Sequence, residues 1–370
     1  MNLIVIKDKL QDGLQTVSRA SDNHQNLPIL KNVLIASGEN QIKLSATNLE
    51  IAVSYKVAGK VMEPGSITVP VDTFLGLVNN LQSERLSLET KNNTLEIKTD
   101  NYRAKLQGLP PEDFPLIPQV QNNEENITIN GGVLKEALSQ VSIATQFSEL
   151  RPELNSVAMS FNLDSLIFAA TDSFRLAEKT IQPQDFKATL PGDVFSLIPL
   201  KSIQELLRIL KENEEIMICL DQTQILFKSE RFEFVSRLLQ GSFPDYKKVI
   251  PEKYGAEAAL KREELMGALK LTGVLSPKIS EVKIRFLENK KALEIFSLDE
   301  SVGENNYILP AKISGKAGEV GFNWRYLLDG LRAVPGDEVV FGVNDDNHPS
   351  ILRSQSDPSY FYILMPILKS

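Results

Sequence analysis

KDKLQDGLQTVS (7–18), GGVLKEALSQVS (131–142) and REELMGALKLTG (262–273) are three versions of one pattern. Leu14, Leu138 and Leu269 hold the same place in it, spaced by 124 and then 131 residues. Apolar residues recur at helical spacing in each copy. Each copy follows a short strand-like run, such as NLIVI or NITI. A second helical pattern also occurs three times, as VPVDTFLGLVNNL (69–81), IPLKSIQELLRIL (198–210) and FNWRYLLDGLRAV (322–334). Self-similarity at this period marks a repeated structural unit.

Strand-like segments lie between the paired helices: IKLSATNLEIAVSYKV (42–57), LIFAATDSFRLAEKTI (166–181) and ALEIFSLDESVGENNYIL (292–309). Hairpin-like runs follow the second helix, for example LSLETKNNTLEIKTDNYRAKLQG (86–108) with NN at the turn. Each copy closes on a proline, DFP at 113–115, SFP at 242–244 and MP at 365–366. QVQNNEEN (119–126) and PEKYGAEA (251–258) read as linkers, which predicts domains at 1–122, 123–252 and 253–370. Antiparallel sheets with helices on one face give three similar α+β domains. The stretch SYFYILMPILKS (359–370) alternates apolar residues onto both faces of a strand. That is unusual beside a chain terminus, which is ordinarily polar and loosely held.

The 370 residues, 42% hydrophobic and 24% charged, are enough for several domains with separate cores. No run approaches the ~18 apolar residues of a membrane span. MNLIVIKDKL lacks the basic flank and long apolar stretch of a signal peptide. A single cysteine, Cys219 in the run IMICL, leaves no disulfide framework, and a cytoplasmic address is expected. The two histidines, His24 and His348, fall in different copies, so Cys/His zinc spacing is excluded. No nucleophile elbow is present to make a Ser–His–Asp site. No GxGxxG occurs, and Gly315-Lys316 lacks the upstream glycine of a phosphate loop. The acidic runs NDD (344–346) and NNEEN (122–126) read as solvated turns. No catalytic residue, metal or cofactor is expected.

The formal net charge of −8 argues against a tight nonspecific grip on nucleic acid. The six predicted helices carry +1, −1, 0, +2, +1 and +1, together +4, leaving −12 for the remainder. A mildly basic helical face on an acidic body attracts a polyanion without gripping it.

The triple repeat, AATDSFRLA (169–177), LPIL (27–30), LPPEDFP (109–115), SFPDYKKVIP (242–251) and the terminal YILMP together resemble the bacterial beta sliding clamp family. The likeness runs through the whole chain in the expected order. It implies a head-to-tail homodimer whose six domains close into a ring around duplex DNA, with helices inside and antiparallel sheets outside. It further implies a non-catalytic processivity subunit. Such a subunit tethers the replicative polymerase, and the clamp loader and repair and translesion polymerases bind it through a short linear motif. The alternative is a peptide-binding adaptor that never encircles DNA.

By the same resemblance, the partner motif docks between the second and third domains. Leu154 from RPELN and Thr171, Ser173, Phe174, Arg175 and Leu176 from ATDSFRLA would form one part of the pocket. Pro244, Lys248 and Val249 from FPDYKKV would join Pro349 and the tail residues Ile363, Leu364, Met365, Pro366 and Ile367. Apolar anchors would bury against Leu176, Val249, Ile363 and Met365 at ~25 cal/mol per Å². Met365 suits a surface that accepts several ligands, and Arg175 would donate to a peptide carbonyl or carboxylate.

This chain departs from the family pattern at four places. Ser173-Phe174 stands where many relatives carry Gly-His, and Lys248 where arginine, a planar bidentate donor, is common. His24 replaces a commonly basic position, and Ala104 an aromatic found in some relatives. The DNA-facing residues implied are Arg19, His24, Lys201, Arg208, Lys211, Arg325 and Arg332. At the subunit seam, the edge strand with Arg103, Lys105 and Leu106 would meet Val274 and Leu275, with Glu300 and Glu304 opposite the two cations.

Overall fold

The structure, a computed structural model, describes residues 1–21, 27–38, 41–118, 120, 124–146, 148, 150–287, 289 and 291–368. Six helices appear where the repeats place them: α1 (Lys7–Val17), α2 (Val71–Asn80), α3 (Gly131–Ser142), α4 (Leu200–Ile209), α5 (Arg262–Thr272) and α6 (Trp324–Ala333). Leu14, Leu138 and Leu269, the marker of the repeat, are each fully buried.

The chain gathers into two compact units. The first comprises Met1–Val133, Phe186–Pro191 and Lys201–Leu238, and the second Leu134–Asp185, Gly192–Leu200 and Leu239–Ser370. The first unit holds a five-stranded and a nine-stranded sheet, the second a nine-stranded and a four-stranded sheet. The second repeat therefore lends one sheet to each unit.

Both nine-stranded sheets are fusions across a repeat boundary. In the first unit, Ile51–Val57 pairs antiparallel with Phe232–Arg237, Ile51 opposite Ser236 and Tyr55 opposite Phe232. In the second, Arg175–Ile181 pairs with Tyr360–Leu364, Arg175 opposite Leu364 and Lys179 opposite Tyr360. The terminal strand also pairs with Ser350–Ser354 on its other side. It therefore lies inside a sheet rather than at an edge, which is why it is apolar on both faces. Tyr360, Tyr362 and Leu364 point inward and are essentially unexposed. Both tyrosine hydroxyls are satisfied, Tyr360 donating to the Gln140 carbonyl at 3.2 Å and Tyr362 to the Tyr326 carbonyl at 3.0 Å.

One backbone bridge recurs in all three copies and corrects the sequence alignment of the closing prolines. The N–H of Leu109 donates to the Thr68 carbonyl, that of Leu239 to Leu197, and that of Ile367 to Gly321. Pro366 is thus the counterpart of Gly108 and Leu238, not of the prolines in DFP and SFP. Spacing alone had equated prolines that occupy different structural positions.

Helix α6 packs on the inner face of the terminal strand through Gly330. A Cβ there would lie 2.5 Å from a ring carbon of Tyr362 and 3.0 Å from Leu352. Alanine is ordinarily worth ~1 kcal/mol over glycine inside a helix, but overpacking a core costs about 1–3 kcal/mol. The overlap should win. Gly330→Ala is expected to lower the urea midpoint of the transition that reports on the second unit; a raised midpoint would contradict this packing.

Candidate functional site

The candidate site in the second unit is organised by the turn Thr171–Arg175. Ser173 sits at φ 78°, a conformation that L-residues with side chains rarely adopt. Asp172 holds it there: its Oδ1 accepts the N–H groups of Phe174 and Arg175, both at 2.9 Å. Thr171 Oγ1 donates to the Arg175 carbonyl at 2.8 Å and accepts the Ser173 N–H at 3.2 Å. Asx and hydroxyl turns of this kind replace backbone pairing with side-chain pairing. The first repeat builds the same turn, with Leu49 at φ 74° and Asn48 Oδ1 accepting from Glu50 and Ile51 at 3.0 and 2.8 Å.

The turn is tied to the tail. The Phe174 carbonyl accepts the N–H of Met365 at 2.7 Å, and two residues on Ile367 donates to Gly321 at 2.8 Å. Phe174 itself projects outward and is 57% exposed. Beside it Leu176, Ile351 and Ile363 form a buried apolar floor, against which Tyr246, Ile250, Tyr254 and Phe361 pack. Thr171, Leu154, Leu364 and Pro366 are buried, while Pro244, Pro349, Met365 and Ile367 are half-buried. Val249 is 52% exposed at the end of the turn Tyr246–Val249, and Lys248 beside it is solvated and pairs with Asp245 at 2.7 Å. The structure thus brings the sequence-predicted groove residues around one floor, to which Leu176 and Ile363 belong while Phe174 stands exposed beside it.

Arg175 is the exception. Its Nε donates to Asp172 Oδ2 at 2.8 Å and a terminal nitrogen donates to Asp329 Oδ2 at 2.9 Å. The guanidinium also lies 4.2 Å from the Tyr326 ring centroid, and only 11% of the side chain is exposed. The expected free donor for a peptide is instead an internal strut between the turn and α6. Two carboxylates and an aromatic face within reach already satisfy its planar fork. Asn323 caps α6 by accepting from the N–H groups of Arg325 and Tyr326, and so sets where Tyr326 and Asp329 stand. Neither residue was legible as part of the site, because no spacing in the sequence links α6 to the ATD turn. Tyr246 and Ile351 were missed although Tyr246 stands inside FPDYKKV and Ile351 two residues after Pro349, so the motifs themselves carried the signal.

The basic candidates are surface residues with varied surroundings. Arg19 is exposed on the turn after α1, and Lys201 and Arg208 are exposed on α4. Arg208 pairs with Glu205 at 3.9 Å, Lys211 with Asp12 at 3.1 Å and Arg332 with Asp329 at 3.3 Å. Arg325 stacks 4.8 Å from the Trp324 ring and bonds Ser280. Exposed pairs of this kind are worth ~0–1 kcal/mol, so a phosphate can displace the carboxylate. His24 lies outside the described residues.

At the seam candidates, Arg103–Gln107 is the edge of the five-stranded sheet, and Gly303–Pro310 is an edge of the four-stranded one. Arg103 is bound within its own chain by Glu96, whose pKa is drawn down to about 2 by hydrogen bonds from Arg103 and Lys98. The Arg103 side chain is nevertheless 63% exposed on that edge strand. Lys105, Glu300 and Glu304 are exposed, Leu106 and Leu275 are half-buried, and Val274 is 74% exposed. Among the described residues no cluster of His, Cys, Asp and Glu suits a metal ion, and no helix is long and apolar enough to cross a membrane.

Comparison with known proteins gives three consecutive matches to one family. The N-terminal domain of the DNA polymerase III beta subunit matches residues 1–118, its central domain 128–245 and its C-terminal domain 247–368. The chain belongs to this family. Its fold is three clamp domains of mixed helix and sheet, and the family's subunits are non-catalytic. The beta sliding clamps of Synechococcus elongatus and Staphylococcus aureus are each 28% identical to it over 99% of both chains. The Bacillus subtilis DNA polymerase sliding clamp superposes with a TM-score of 0.94 at 26% identity over 100% of both chains. A Pseudomonas aeruginosa sliding clamp bound to griselimycin gives 0.94 at 27%, again over 100% of both.

The paired turns supply an internal control. Asp172→Asn keeps the geometry that Asn48 already shows and should alter stability little beyond the loss of the Arg175 ion pair. Asp172→Ala leaves two N–H groups and the Arg175 Nε without their acceptor and should cost about 1–3 kcal/mol. Chemical denaturation of the two variants checks the order; equal losses would mean that the turn bonds do not matter.

Proposed function

We propose that this chain is a sliding clamp: a homodimeric ring that encircles duplex DNA and holds polymerases on it through the groove beside the ATD turn. One observation carries the reading. Within the chain, the strand after the ATD-type turn of one repeat pairs with the last strand of the next, and this happens twice. Two strands are left without such a partner, Arg103–Gln107 in the first repeat and Gly303–Pro310 in the third. An unpaired edge is a template for another chain. A second copy supplies the missing strand at each edge, so two protomers head to tail satisfy both joints, with three domains each at 1–122, 123–252 and 253–370.

In this assembly Lys105 faces Glu300 and Glu304 of the partner across the seam, while Leu106 meets the partner's Val274 and Leu275. Encirclement retains the protein on DNA without strong contacts. Sparse cations such as Arg19, Lys201, Arg325 and the weakly paired Arg208, Lys211 and Arg332 then serve as a low-friction lining, since phosphate affinity that is too strong would slow movement. The groove takes a short linear motif from the polymerase catalytic subunit, the clamp loader and repair polymerases, its apolar anchors burying over Leu176, Ile363 and Met365. The cytoplasm is the compartment in which such partners are met.

Electron microscopy of the purified protein is expected to show a closed ring, and sedimentation a dimer. Loaded by a clamp loader, it should stay on circular DNA and run off linear DNA. An open outline with no retention on circles would leave only a peptide-binding adaptor. Met365→Ala is expected to weaken griselimycin at least about tenfold, roughly one buried apolar side chain's worth, while the dimer stays intact. Unchanged affinity would remove the tail from the site.

A further inference from the structure

The two intramolecular joints are close copies, yet the segment that follows each closing proline lies differently on them. Counting from DFP and SFP, Ile117 corresponds to Tyr246 and Val120 to Val249; counting from the turns, Ser54 corresponds to Glu178. At the first joint the linker lies down on the sheet: Val120 is 4% exposed and clusters with Ala52, Leu226 and Val235, with Ile117 packed on them. At the second joint Val249 stands 52% exposed. The difference is not lack of apolar floor, since Leu176 and Ile363 offer more surface than Ala52 and Val235.

One polar contact is specific to the second joint. Tyr246 Oη donates to Glu178 Oε2 at 2.5 Å. Glu178 sits on the strand Arg175–Ile181, flanked across the sheet by Ala169 and Phe361. Phe243 supports Tyr246 edge-on, with ring centroids 5.8 Å apart. At the first joint Ser54 bonds Ser45 instead, at 2.9 Å, and Ile117 has no polar atom to offer. We propose that the Tyr246–Glu178 hydrogen bond is a prop that fixes the turn Tyr246–Val249 on the sheet in a position that leaves Val249 exposed and the groove beside it available to a partner's apolar anchors. This rests on the groove reading above and makes Tyr246 and Glu178 positioning residues rather than contacts.

The prop is sensitive to acid. Burial raises the Glu178 carboxyl above the ordinary carboxylate range, against the opposing pull of Tyr246, Lys247 and Thr180. Above its pKa the carboxylate accepts a charge-assisted bond; below it the bond becomes neutral and weaker. Lys247 and the Tyr246 hydroxyl are the titratable groups around it, and burial together with Glu178 itself pushes the tyrosine further up, so it keeps its proton. Groove affinity should therefore hold steady while Glu178 is ionised and decline as acid protonates it.

Griselimycin serves as the probe, titrated between pH 5 and 8 in a His348→Gln background that removes the imidazole next to Pro349. Tyr246→Phe keeps the ring and loses only the hydroxyl. It should bind about 3- to 10-fold more weakly at pH 7.5, the effect of one charged hydrogen bond partly recovered by packing, and lose the acid dependence. Glu178→Gln, a neutral acceptor, should give a flat profile between the two. Parent-like affinity and pH profile in Tyr246→Phe would overturn the prop. If Met365→Ala also leaves griselimycin unaffected, or the parent protein does not bind it, the groove reading fails first; if Met365→Ala abolishes binding and Tyr246→Phe does nothing, the prop alone is wrong.

Discussion

Backbone pairing between Arg175–Ile181 and Tyr360–Leu364 is the constraint on which the second unit depends. It turns two smaller sheets into one, fixes the tail beside the ATD turn and creates the floor on which a groove can exist. Each part of the site inherits its position from that register. Leu176 and Ile363 are neighbours because they are directly opposed in it, and Phe174 meets Met365 because both lie one residue beyond it. The joint in the first unit obeys the same rule with smaller side chains. One pairing solution has been used twice, and the remaining edges argue for a third use between chains.

Much of this was legible in the sequence, for a physical reason. Amphipathic helices and alternating strands leave a periodic record, and three copies of it confirm one another. The helices, the strands around the ATD turns and the apolar tail all lie where the patterns put them. What periodicity cannot carry is the pairing of distant segments. The same limit explains the misaligned closing prolines, because identical residue types mark different positions when the chain takes different paths after a strand.

The site residues divide along the same line. Apolar floor residues such as Leu176 and Ile363 were readable as members of the motifs. The polar framework was not. Arg175 looked like a donor awaiting a ligand, yet Asp172 and Asp329 already satisfy it, and Asp329 also pairs with Arg332 on α6. A charge in a motif indicates a need for a partner but not whether that partner is internal. Exposure decides it, and exposure is a property of three dimensions.

The register also has a cost in time. Arg175 and Leu364 are 189 residues apart in the chain, and Ile51 and Ser236 are 185 apart. A ribosome adding ~5–20 residues each second leaves the earlier strand unpaired for about 10–40 s before its mate emerges. During that interval the apolar edge at Leu176 is available to any other nascent chain, and contacts this remote form slowly even when both halves are present. A protein built by joining sheets across its own repeats therefore depends on chaperone shelter during synthesis more than its small, locally simple domains would suggest.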